Sequence, residues 1–173
     1  MGAIAGITVL DVWQDDAALI AKGLGIPCPK VHFGPPWLME VNAGITIPHR
    51  IYINPRARDL SPAARRYVLA HELGHVLHGH SKAAYLALAV CMLLAYASPL
   101  AADVVMGLYI GAFLVPNGLG DRAEYQADAV AAKVMGSSLS TIIAQQEVMA
   151  VMGGRAHASR LRRWARLRST KAR

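Results

Sequence analysis

Residues 67–80 read YVLAHELGHVLHGH, so four histidines and one glutamate fall within ten residues of an apolar stretch. His71-Glu72-Leu73-Gly74-His75 is an HExxH pattern. On a helix, positions i and i+4 share a face, so His71 and His75 can reach one ion. Neutral imidazoles suit zinc, and a catalytic zinc keeps one position open for water. Glu72 projects beside the pair. It can hydrogen-bond a water held at the ion, take its proton as the water attacks a carbonyl, and hand that proton to the leaving amine. The competing reading is two histidines and a glutamate meeting on a helix by chance. The apolar Val68, Leu69, Leu73, Val76 and Leu77 around the pattern argue against it.

Such a site needs a third protein ligand. A third histidine on the same helix would sit at position 81 behind a glycine at 78, and the chain has Ser81 and His78 instead. His78 lies about two turns beyond His71, too far along the axis to share its ion. His78 and His80 are expected at the helix end, solvated or supporting the ligands, where a positive charge is favoured. The better third ligand is distant. DRAEYQADAVAAKVMG carries Glu124 and Asp128 four apart among small apolar residues. Glu124 can complete a His₂Glu set, and Asp128, one turn on, can accept the far ring N–H of a ligating histidine. The plainer alternative for each acid is a solvated helix carboxylate.

Several elements must position these groups. Asp11 to Leu24 reads as a short amphipathic helix, broken by GIPCP. VHF, LMEVNAGITI and RIYIN are β-rich pieces separated by proline and glycine, which predicts three or four short strands. NPRARDLSP is a loop. Ser61-Pro62 is an N-cap followed by proline in the first turn, so a helix is expected from Pro62 through His80. Between Lys82 and Asp121 the only charged residue is Asp103. That stretch predicts a two-helix hydrophobic hairpin over 83–119, turning near Ser98-Pro99 and Asp103, with Tyr85, Tyr96 and Tyr109 as interfacial anchors. Each arm is near the short end of a membrane span. The other reading is a buried helix pair in a soluble core or dimer interface. Helices from about Arg122 to Met135 and from Leu139 to Met152 follow.

The 173 residues suit one domain, 1–173. The net charge of +7 is uneven: eight Lys/Arg and no Asp/Glu fall in 155–173, leaving ten basic and eleven acidic residues elsewhere. That basic C-terminal segment, with Leu161, Trp164 and Leu167 at helical spacing, is expected to form a helix that is solvated or meets anionic lipid. No nucleic-acid partner is expected. Cys28 and Cys91 form no CxxC pair, which excludes a zinc knuckle or disulfide framework. The N-terminus lacks a basic segment and carries early acids, so a cleaved secretory signal is not expected.

VLAHELGHVLHGH, then a hydrophobic hairpin, then EYQADAVAAKVMG, resembles the HtpX-type and CAAX prenyl protease family of membrane zinc metallopeptidases. The resemblance implies an α+β fold: a mainly helical, zincin-like core with a small N-terminal β-sheet and the inserted hairpin. It implies one zinc ion held by His71, His75 and Glu124, with Glu72 as the base and Asp128 orienting a ligand. VNAGITIPHRIYIN resembles the segment leading to the family's edge strand, which implies that Asn42 and Ala43 pair with an extended peptide substrate. RAHASRLRRWARLR resembles the closing segment, with Ala158 where proline is usual, and His157 there can approach the site. Membrane members usually carry spans before the HExxH helix, and this sequence shows none.

The expectation is a membrane-anchored zinc endopeptidase acting on peptides or proteins. It would sit in the cell membrane through one hairpin, with its catalytic part and basic tail on the cytoplasmic side. Two alternatives stand beside it. One is a soluble metallopeptidase of the ImmA/IrrE type that cleaves a repressor, a family without so long an apolar insertion. The other is a metal-binding membrane module without turnover.

Overall fold

The computed structural model describes residues 8–35, 44–47, 49–114 and 119–152 of the chain. Helix α1 spans Val9–Leu24. Thr8 and Asp11 close a reciprocal capping box: Thr8 Oγ1 accepts the Asp11 N–H, and the Asp11 carboxylate accepts the Thr8 N–H. Gly25, at φ 69°, ends the helix. Trp13, Ala17, Ile20 and Ala21 are buried, the i, i+4, i+7, i+8 stripe of a helix with one covered face. Leu19, apolar in the sequence pattern, lies off that stripe and is exposed.

Three strands follow: β1 (Lys30–Phe33), β2 (Gly44–Ile47) and β3 (Arg50–Ile53). They form a sheet in the order β1-β3-β2, with β1 parallel and β2 antiparallel to β3. Central β3 alternates, with Ile51 and Ile53 fully buried and Arg50 exposed. Strand β2 is at the sheet edge and packs on the HExxH helix. The segment expected as a loop contains a turn of 3₁₀ helix, Pro55–Asp59, capped by the Asn54 side chain.

Helix α2, Pro62–Leu77, is the central element and packs against α1, β2 and the two helices over Leu119–Met135 and Ser138–Met152. Ser61 caps it by accepting the Ala64 N–H, as the Ser-Pro signal implies. The Ser61 hydroxyl and N–H also donate to Glu147, at 2.6 and 2.7 Å, which ties the start of α2 to the sixth helix. Leu69, Ala70 and Leu73 have no exposed surface and join Trp13, Ile51 and Ile53 in one core. The helix does not run to His80 as the sequence suggested. It stops at Leu77 because Gly79 takes a left-handed φ of 68°, and His80 opens the next helix.

Helices α3 (His80–Ala97) and α4 (Pro99–Leu114) form the hairpin, turning at Ser98. Asp103, expected at the turn, lies within α4, since Pro99 already occupies the first helical position. Cys91 and Ala102 are buried, while Leu93, Leu100 and Leu108 are 70%, 75% and 71% exposed. Among the described residues no helix is long and apolar enough to cross a membrane. The 16 residues of α4 span about 24 Å at 1.5 Å per residue, against about 30 Å of hydrocarbon. Helices α5 (Leu119–Met135) and α6 (Ser138–Met152) complete a mainly helical fold with one small sheet. The basic segment 155–173, with His157, lies outside the described residues.

Candidate metal centre

The HExxH residues sit in the second half of α2, and α5 runs alongside. Gly74 makes the close approach possible. A Cβ there would lie 2.8 Å from Ala127 Cα and 3.2 Å from the Ala127 carbonyl oxygen of α5. With two small residues facing one another, Glu124, one turn before Ala127, reaches the histidines. Ligand atoms of His71, His75 and Glu124 all lie within 4.8 Å of one another. His71 Nε2 and His75 Nε2 are 3.2 Å apart, and Glu124 oxygens lie 3.4 Å from the first and 3.5 Å from the second. Zinc bonds of about 2.0–2.1 Å in a tetrahedron have edges of about 3.3 Å, so these three separations fit a single zinc ion.

The electrostatics suit a cation. Asp128 is 2% exposed and its Oδ1 lies 3.0 Å from His71 Nδ1. The Tyr67 hydroxyl donates to the same oxygen at 3.3 Å. An anionic acceptor at Nδ1 keeps the proton there and leaves Nε2 for the ion. Burial disfavours a charge on His71, but hydrogen bonds to Asp128 and Glu124 and the charges of both outweigh it. The pKa is pushed up to about 10. Two carboxylates facing a half-buried imidazole pair form a pocket that attracts positive charge.

Glu72 is 6% exposed and faces β2. The Thr46 hydroxyl donates to Glu72 Oε2 at 2.6 Å and also lies 3.2 Å from the Glu72 carbonyl oxygen. Gly44, two residues earlier, has to be glycine for this packing: a Cβ would lie 2.8 Å from Glu72 Cγ and 2.9 Å from Oε1. The edge strand therefore lies directly against the carboxylate and fixes its rotamer.

Of the residues expected from sequence, His71, His75, Glu124 and Asp128 come together, and Glu72, next to His71 in the chain, packs against β2. Asn42 and Ala43 lie outside the described residues. His78 is exposed, as expected at a helix end. His80 belongs to α3 and turns back onto His75. Sequence reasoning did not find Thr46, Gly44, Gly74 or Gln126. Gly79 directly after His78 was the one available signal that α2 stops early and frees His80.

The model of peptidase family M48 matches residues 42–171. That span holds β2, the HExxH helix, the hairpin and the acidic helix. Comparison with curated proteins and with solved structures finds no significant match. With well over half of its length matched, the chain belongs to peptidase family M48, a family of metallopeptidases.

Proposed function

We propose that the chain is a zinc endopeptidase of the HtpX and CAAX prenyl protease type, anchored to the cell membrane by the α3–α4 hairpin. One observation carries the catalytic part: His71, His75 and Glu124 converge beside Glu72 within the span matched by the peptidase family. His71 Nε2, His75 Nε2 and the Glu124 carboxylate would hold the ion. Zinc bound there supplies Lewis-acid polarisation of water and of the scissile carbonyl.

The remaining steps belong to the chain's own groups. Glu72, with Thr46 donating to its Oε2, would be the base that takes a proton from water. The water oxygen bonds to the carbonyl carbon, the C–N bond breaks, and Glu72 passes its proton to the departing nitrogen. Peptide would add as a further strand along the edge of β2, with Asn42 and Ala43, just upstream in sequence, pairing with it.

The exposed leucines of α3 and α4 support the anchoring. Arms this short call for local thinning of the bilayer around them. The arginine-rich sequence after position 154 supports a cytoplasmic catalytic part under the positive-inside rule. Two experiments test the proposal. Glu72→Gln should keep zinc and lose cleavage of a casein-like substrate by about 10²–10⁴-fold, and undiminished cleavage would overturn the assignment. The full chain should stay with membranes through alkaline carbonate extraction, and release into the supernatant would overturn the anchor and favour a soluble metallopeptidase.

A further inference from the structure

His71 Nδ1 faces the Asp128 carboxylate, whereas His75 Nδ1 lies 2.9 Å from His80 Nδ1, and His80 Nε2 lies 2.8 Å from the Gln126 side-chain oxygen. The rings of His75 and His80 meet edge to face, with centroids 5.1 Å apart. We propose that His80, itself held by Gln126, is a positioning residue that fixes His75 in the tautomer able to bind the ion.

Donors and acceptors alone fix the protons along this row. The Gln126 oxygen only accepts, so His80 Nε2 carries a proton and donates. A neutral His80 then presents a lone pair at Nδ1. His75 Nδ1 must donate to it, which leaves a lone pair on His75 Nε2. That atom is the one beside His71 Nε2 and Glu124. Reversal of the Gln126 amide would reverse every bond in the row and put a proton on His75 Nε2, where an ion cannot bind.

The row joins three helices. His75 is near the end of α2, His80 begins α3 and Gln126 lies on α5, two residues from Glu124. The entry to the hairpin is therefore fastened to the metal centre. This inference rests on the zinc reading above, and its test separates the two.

Zinc affinity is measured by competition with a chromophoric chelator, and the ligand field by the visible spectrum of the cobalt(II)-substituted protein. His80→Leu keeps bulk but removes the acceptor. It should weaken zinc binding about 10–100-fold and shift the cobalt bands. His80→Asn places an amide oxygen where Nδ1 stood and should recover affinity to within about threefold of the starting protein. Gln126→Leu, on an exposed residue, should weaken binding about threefold to tenfold and carries the test if His80→Leu does not fold. Unchanged affinity and spectrum in His80→Leu or, where that does not fold, in Gln126→Leu would overturn the positioning role, as would an Asn variant as weak as the Leu variant. A starting protein that binds no zinc would overturn the zinc reading and this inference with it.

Discussion

Gly74→Ala isolates the packing that assembles the metal centre. The added Cβ meets Ala127 at its Cα, carbonyl oxygen and Cβ, at 2.8, 3.2 and 3.3 Å. Backbone cannot rotate away, so α2 and α5 must separate. Moving the shortest contact from 2.8 Å to the 3.4 Å of ordinary contact takes roughly 0.6 Å. Overpacking of this kind costs about 1–3 kcal/mol, and alanine's better helix propensity returns about 1 kcal/mol. The metal-free fold should therefore lose between about 0 and 2 kcal/mol in urea unfolding. Zinc binding should suffer more. Glu124 travels with Ala127, and a shift of roughly 0.6 Å exceeds the roughly 0.2 Å tolerance of a zinc–oxygen bond. Chelator competition should show affinity reduced about tenfold or more, about 1.4 kcal/mol. Gly23→Ala is the control. It lies near the end of α1 with nothing within 4 Å of its Cβ position, so it should gain up to about 1 kcal/mol and leave zinc untouched. If Gly74→Ala behaved like Gly23→Ala in both measurements, the helices would not be limited by this contact and the reasoning would fail.

Three further outcomes are expected. Gly44→Ala pushes on Glu72 at Cγ and Oε1, so kcat should fall about 10–100-fold with zinc affinity unchanged; a loss of zinc would show the wrong group had moved. Zinc binding at pH 8 should release about one proton, because His71 is held up to about 10 without the ion and must be neutral with it. Titration calorimetry in buffers of different ionisation enthalpy measures this. By the same sign, the His71 charge stabilises the metal-free fold fully below its ordinary 6.5, and that contribution is lost as pH rises through about 10. Ser61→Ala removes both the cap of α2 and the hydroxyl's bond to Glu147, and should cost about 1–2 kcal/mol in thermal unfolding.

Local rules carried much of this molecule into view. The Ser61-Pro62 start, the i, i+4 histidines and the spacing of Glu124 and Asp128 depend on helix geometry within a few residues, which a sequence displays directly. The break between α3 and α4 at Ser98 was legible for the same reason, although Asp103 moved from its turn into α4 and neither helix is long and apolar enough to cross a membrane. Contacts between distant segments were not legible. Thr46 meets Glu72 across 26 positions, and nothing in ITIPHR announces a partner for a carboxylate. Gly74 reads as an ordinary variable position of HExxH until Ala127 is set against it. His80 was placed at the end of a helix that in fact stops three residues earlier, and a single left-handed glycine redirects it onto His75.

The arrangement of α2 and α5 has a consequence for how freely this chain can be rebuilt. The two helices that carry the chemistry touch one another, while α3 and α4 leave from one and return to the other as a side excursion. The entropy of closing a chain rises only by about 0.6 kcal/mol per doubling of its length. The excursion can therefore lengthen, shrink or be exchanged for another helical pair at small cost to the centre, so that the helical pair and the metal centre are separable cassettes. The separation has one boundary condition. The cut has to fall after the first turn of α3, since His80 lies on the excursion but faces the centre.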